Sequence, residues 1–175
     1  MAKLRIVSQT RSHRLPTRRV ASAMRPALVA TLAVASALSG PPAMAQDAPQ
    51  RLQNHTTLGA GMYNMQVEVA VTPQEHAIGL MHRTGMGANE GMLFVFDRPG
   101  VQCFWMKNTL IPLAVAFVAD DGTVVNLDEM KPQTLDSHCS AQPVRYVLEM
   151  NTGWFKKKGV KPGQKLSGAP FGSPR

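Results

Sequence analysis

The sequence predicts an α+β domain built mostly from antiparallel strands, and three observations carry that prediction. Six or seven short stretches alternate between apolar and polar residues, or run apolar, at strand length. Two short stretches carry helix start and stop signals, and Gly, Pro or Asp-Gly breaks divide the elements. Short strands interspersed with only two helices point to a sheet with helices on it rather than to repeated βαβ units.

The first strand is expected over Asn64 to Val71, where Met65, Val67 and Val69 alternate with Gln66, Glu68 and Ala70. A helix follows, with Thr72 as its cap, Pro73 in the first turn and Glu75 three residues after the cap, a capping box. Ala77, Leu80 and Met81 share one helical face, and Gly85 is the expected stop. Strands are expected over Met92 to Phe96 and Val101 to Met106, divided by Arg98, Pro99 and Gly100. Leu113 to Ala119 is apolar on both alternating sets, so it belongs inside a sheet covered on each face. Asp121 and Gly122 suit a type I′ hairpin into Thr123 to Leu127, and Arg145 to Met150 reads as a further strand. The second helix takes Thr152 as cap, packs Trp154 and Phe155 inward and ends at Gly159. Pro162 and Gly163 turn the chain into a last short strand around Lys165.

The organisation expected is a signal peptide over 1–45, a flexible linker over 46–61, one globular domain over 62–166 and a flexible tail over 167–175. A basic stretch ends at Arg25, an apolar run spans Ala27 to Leu38, Gly40, Pro41 and Pro42 break it, and Ala43, Met44 and Ala45 fit a small-x-small cleavage site. The run is too short to span a bilayer, so no stable membrane anchor is expected once the leader is removed, and the mature protein is expected in the periplasm or outside the cell. Met24 with Arg25 offers a second, more compact start, and Arg18 with Arg19 a poorly continued twin-arginine signal. The leader holds 7 of the 19 Lys and Arg and none of the 11 acids, which leaves the mature chain 12 against 11, a net of +1. The high overall pI therefore belongs to the leader, and a nucleic-acid partner is not expected.

Four stretches now in order, VEVAVTPQEHAIGLM (Val67 to Met81), GMLFVF (Gly91 to Phe96), FWMKNTLIPL (Phe104 to Leu113) and YVLEMNTGWFKKKGVKPG (Tyr146 to Gly163), resemble the family called domain of unknown function 192. The resemblance implies an exported bacterial or archaeal domain whose mostly antiparallel sheet curls into a partial barrel beside two short helices. It implies no reaction. Relatives often carry an Asp after the IPL segment and another at the end of the C-terminal turn, and here Ala114 and Gln164 stand in those places.

Cys103 and Cys139 both lie in the mature chain, and an even count in an oxidising compartment favours a disulfide. Closing a loop of about 37 residues stabilises by roughly 4 kcal/mol in the chain-entropy account. Free thiols that bind metal or attack a substrate are the alternative, supported only by His138 beside Cys139, and neighbours on a strand point to opposite faces.

Trp105, Lys107, Asn108 and Thr109 form the best candidate site, because polar groups interrupt an apolar run just before a turn. An indole beside an ammonium and an amide can stack on a planar group and hold an anion, with Arg83 as the basic companion. The plain reading puts Trp105 in the core, Asn108 in a turn and Lys107 in solvent. Eight Met residues of the mature chain, with His55, His76, His82 and His138, allow a periplasmic copper reading, although their dispersal suits core filling better. Lys156, Lys157, Lys158, Lys161, Lys165 and Arg175 make the segment after Glu149 basic, which fits an anionic envelope polymer or simply a solvated helix end. GxSxG, HExxH, CxxC, GxGxxG and Walker patterns are missing, and no cofactor or metal is indicated. The function these observations favour is a binding or accessory module for a small polar or anionic envelope-associated ligand. The competing class is a carboxylate-based hydrolase of envelope polymers using Glu68 or Glu149. Oligomeric state is not legible.

Overall fold

A computed structural model describes residues 48–171. The expected signal peptide lies outside them. Eight strands and two helices follow in the order β1 (His55–Ala60), β2 (Tyr63–Ala70), α1 (Pro73–Ile78), β3 (Glu90–Gly100), β4 (Cys103–Phe104), β5 (Leu113–Val118), β6 (Val124–Met130), β7 (His138–Cys139), β8 (Val144–Asn151) and α2 (Trp154–Lys157). The main sheet has the order β1-β2-β3-β8-β5-β6, and β4 pairs with β7 in a separate two-stranded sheet. β2 and β3 run parallel across the α1 connection, and the other four neighbouring pairs are antiparallel. The fold is thus α+β and mostly antiparallel, with an open six-stranded sheet.

Both faces of this sheet are covered. Toward α2 and the C-terminal segment, Met65, Val67, Leu93, Ala116, Tyr146 and Leu148 pack with Trp154, Phe155 and Leu166. On the opposite face Met92, Phe94, Val115, Phe117 and Val147 pack under Leu80 and Met106. β5 is buried at every position, as its doubly apolar pattern predicts. The ring of Phe104 seats the small sheet on this second layer, edge-on to Phe94 with centroids 4.8 Å apart. Directly paired cysteines join β4 to β7 through the Cys103–Cys139 disulfide.

The capping box of α1 is present: Thr72 accepts from the Glu75 amide, and the Glu75 carboxylate accepts from the Thr72 amide. The helix stops six residues earlier than expected, at Gly79 rather than Gly85. Gly79 has a φ of 50°, which favours glycine, and a Cβ there would crowd the Phe94 ring at 3.2 Å. β3 continues through Arg98–Pro99–Gly100 instead of ending at Phe96; pairing with β8 lapses after Val95 and resumes at Gly100, which accommodates the N–H that Pro99 lacks. The strand expected over Val101 to Met106 shrinks to Cys103–Phe104 in the small sheet.

Three further expectations are corrected. Only Gly122 of the Asp121-Gly122 pair is left-handed, with φ 86°, and the Gly122 amide donates to Ala119 O, giving a turn followed by a bulge instead of type I′. Thr152 does not cap α2. The cap is left-handed Gly153, and the Thr152 hydroxyl and the Gly153 amide both turn to the Glu129 carboxylate. His55–Ala60, expected to be irregular, forms edge strand β1, its amides paired to β2 and Gly59 bridged to Ser167. Within the segment read as a tail, Phe171 stacks edge-on to Tyr146 at 5.1 Å.

Candidate functional site

Three loops meet at the end of the molecule beyond the small sheet: the stretch after α1, the stretch between β4 and β5, and the stretch between β6 and β7. Backbone bonds tie them together. His82 N donates to Asn108 O at 2.9 Å, Gln133 N to Thr109 O at 3.1 Å and Met106 N to Thr134 O at 3.0 Å. The groove between them has a volume of about 330 Å³ and is lined by His82, Lys107, Asn108, Leu110, Gln133 and Leu135.

The backbone marks this groove. Among the described residues, three non-glycine residues have left-handed φ, His82 at 62°, Asn108 at 55° and Gln133 at 59°, and each comes from a different one of the three loops. A side chain in this region costs about 1–2 kcal/mol, more for Gln than for Asn, so the fold holds three such residues around one concavity against their local preference. Lys107 is exposed, and its ammonium stands 5.4 Å from the centre of the Trp105 ring. Among the described residues no carboxylate lines the groove.

Of the residues singled out from sequence, Lys107 and Asn108 line the groove, Thr109 is buried beneath it, and Trp105 stands beside Lys107. Trp105 is 50% exposed, so the plain reading that put it in the core is corrected: β4 ends at Phe104, and its seat in the aromatic layer is taken by that ring. Arg83 is also corrected. It turns inward, is 2% exposed, and grips Glu68 with two bonds of 2.7 and 2.6 Å while donating to Gln50 O at 2.8 Å. A carboxylate taken out of water by the sheet attracts the nearest guanidinium more strongly than a solvated groove does. Sequence reasoning assigned His82 only to a dispersed Met/His set and missed Gln133, Leu110 and Leu135. Asn108 carried a signal, since Asn adopts the left-handed region readily; Gln133 carried none.

The carboxylates of the hydrolase reading lie elsewhere. In the sheet register Glu68, Met92, Glu149, Val115 and Asp128 form one row across β2, β3, β8, β5 and β6, so the three acids share the face opposite α2. Burial works to raise the pKa of Glu68, but the bonds from Arg83 and the Leu52 amide, with the charges of Arg83 and Arg51, outweigh it and hold the carboxyl below its ordinary value. Glu149 is 4% exposed, and among the described residues nothing donates a hydrogen bond to its carboxyl. Burial pushes its pKa up to about 8, against the opposing charge of Arg83. His138 Nδ1 donates to Asp128 Oδ2 at 2.6 Å, which fixes its ring beside the last acid of the row.

Five of the methionines and two of the lysines singled out from the sequence are committed to packing or to pairs, while Lys156 and Lys161 stay unpaired among the described residues. Met65, Met92, Met106, Met130 and Met150 are buried in the two apolar layers. Among the described residues, no three His, Cys, Asp or Glu side chains gather as a metal site. Larger concavities, of about 450 and 470 Å³, flank the lysine-rich segment after α2, but Lys165 is held by Asp121 at 2.8 Å and Lys158 lies over Tyr63 at 4.2 Å. Ala114 is wholly buried on the α2 side of the sheet, and the Gln164 side chain accepts from the Lys161 amide; neither lines the groove.

The family profile described as "Uncharacterized ACR", domain of unknown function 192, matches residues 55–168. The chain belongs to this family. A crystal structure from Sinorhizobium meliloti, carrying the provisional description of a transcription regulator, is 39% identical, aligns with 66% of this chain and 92% of its own, and has a TM-score of 0.62. One from Novosphingobium aromaticivorans, a protein of unknown function, is 33% identical, aligns with 70% of this chain and 96% of its own, and has a TM-score of 0.60. No functionally curated protein matches. In this family member, the stretch FWMKNT (Phe104 to Thr109) supplies Lys107 and Asn108 to the lining of the groove.

Proposed function

We propose that this family member is an exported binding module, cleaved after Ala45, that holds a small anionic ligand in the groove of His82, Lys107, Asn108 and Gln133. The observation that carries the reading is the convergence of three left-handed non-glycine residues, from three separate loops, on one carboxylate-free concavity beside an exposed lysine. Backbone held out of its preferred conformation by tertiary structure is characteristic of binding sites. Lys107 supplies the charge, the amides of Asn108 and Gln133 supply directional donors, and the Trp105 ring beside the ammonium offers a flat apolar wall. The near-neutral mature chain argues against carrying over the regulator description of the Sinorhizobium protein, because a nucleic-acid face needs a basic field.

The test is a thermal-shift screen of the protein, purified from the periplasmic fraction, against inorganic phosphate, sn-glycerol 3-phosphate and glucuronate. At least one of these anions raises Tm in the wild type, and the rise disappears in Lys107→Ala and in Asn108→Gly, which keeps the backbone conformation and removes the amide. Equal shifts in all three proteins, or none in any, would refute the reading. Intact mass of the same preparation should correspond to a chain starting at Gln46 with both cysteines oxidised.

A further inference from the structure

Six large apolar side chains are strongly exposed among the described residues, and three of them gather at the groove. Leu110 is 42% and Leu135 66% exposed, and both line it; Trp105, 50% exposed, stands against Lys107 at its edge. Single exposed apolar residues need no explanation, but a cluster surrounding a cationic, carboxylate-free hollow does. A purely polar ligand gives Leu110 and Leu135 nothing to do, because both project around the hollow rather than into the core.

We propose that this end of the domain docks on a membrane surface carrying anionic phospholipid headgroups, with one headgroup phosphate in the groove; the inference rests on the groove reading above and names its ligand class. Each residue type sits where such a surface would require it. Lys107 meets the phosphate and Asn108 and Gln133 donate to its oxygens, while Leu110 and Leu135 on the rim enter the zone just below the headgroups. Trp105 is an amphipathic ring at the level where indoles partition in bilayers. The loop that carries Gln133 and Leu135 adds Lys131, and its one carboxylate, Asp136, is not part of the groove lining. With few charges and three apolar side chains, the docking is peripheral, reversible and salt-sensitive.

The two tryptophans of the chain make the test direct, because Trp154 is 4% exposed and buried against Phe155, so a change in emission reports Trp105. The mature protein is titrated with vesicles of equal phosphatidylglycerol and phosphatidylcholine, with vesicles of phosphatidylcholine alone, and with soluble sn-glycerol 3-phosphate, while emission and co-sedimentation are followed. The expected result is co-sedimentation with the anionic vesicles and a blue shift, at least tenfold weaker partitioning in Leu110→Ser/Leu135→Ser and in Lys107→Gln, and little partitioning on pure phosphatidylcholine. These three positions are exposed, so circular dichroism should show the variants folded. Binding without a blue shift, equal binding to both vesicle types, or binding unchanged in the leucine double variant overturns the inference. If glycerol 3-phosphate binds in a Lys107-dependent way and vesicles do not, the membrane inference falls and the small-anion reading stands. If neither binds, the membrane inference falls, and the small-anion reading falls with it when phosphate and glucuronate also leave Tm unchanged.

Discussion

Replacing Glu149 with glutamine isolates the most unusual group in the core. Its carboxyl lies on β8 between Met92 and Val115, without a hydrogen-bond donor among the described residues, and burial moves its pKa from 4.5 to about 8. The folded state therefore binds a proton that the unfolded chain has already released. The sign follows from that difference. This group's contribution is complete below about pH 4.5, falls as pH rises toward 8 and is fully lost above it. Each pH unit in that window removes about 1.4 kcal/mol, and the window spans about 3.5 units, so the loss is roughly 5 kcal/mol. That is comparable with the whole stability of a small domain, about 5–15 kcal/mol. The glutamine side chain of the Glu149→Gln variant does not titrate, and its unsatisfied amide adds an offset of about 1–3 kcal/mol that does not depend on pH. The measurement is urea unfolding of both proteins at several pH values from about 5 to 8.5, with the slope m checked for constancy. The variant should gain on the wild type by roughly 4 kcal/mol across that range, whatever the offset. Stability curves that stay parallel would show that Glu149 is ionised and partnered in the folded protein, and the reasoning from burial would be wrong.

Two other perturbations test the frame around the site. Arg83→Met leaves Glu68 buried without its bidentate partner and should cost about 3–5 kcal/mol near pH 7. Because the folded pKa of Glu68 is lowered, the wild type holds this stabilisation above about pH 4.5 and loses it as pH falls through the folded value, so the gap in urea unfolding should narrow in acid. Reduction of Cys103–Cys139, or Cys103→Ser with Cys139→Ser, removes a cross-link between residues 36 positions apart. It should lower stability by roughly 4 kcal/mol and the calorimetric Tm by about 10 °C or more. A Tm unchanged by a dithiol that demonstrably reduces the bond would show that the small sheet is held by the Phe104 ring and its backbone bonds alone.

Local signals were legible wherever a few neighbouring residues decide the outcome. The Thr72-Pro73-Glu75 box starts α1, the doubly apolar run of β5 places it inside the sheet, and Gly159 is left-handed as the helix-stop pattern predicts. Signals failed where a distant group decides. α1 stops at Gly79, where φ turns to 50° and the backbone passes close to the Phe94 ring of β3, and His55–Ala60 becomes a strand because β2 offers it an open edge. Neither partner is visible from within the segment itself. The candidate site divides in the same way: Lys107 and Asn108 announce themselves in FWMKNT, whereas Gln133 and Leu135 join them only through loop packing.

The sequence by itself determined the fold class, the family and the availability of two cysteines for pairing, because periodicity, capping and composition act within short stretches of chain or in their order. Tertiary structure alone decided that Arg83 serves Glu68 rather than the groove, that Trp105 faces outward, and that His82, Asn108 and Gln133 share one hollow. The physical reason is that burial and electrostatic pairing depend on distances in space. Residues adjacent in the chain, such as His82 and Arg83, can be sent to opposite environments by the groups that meet them there.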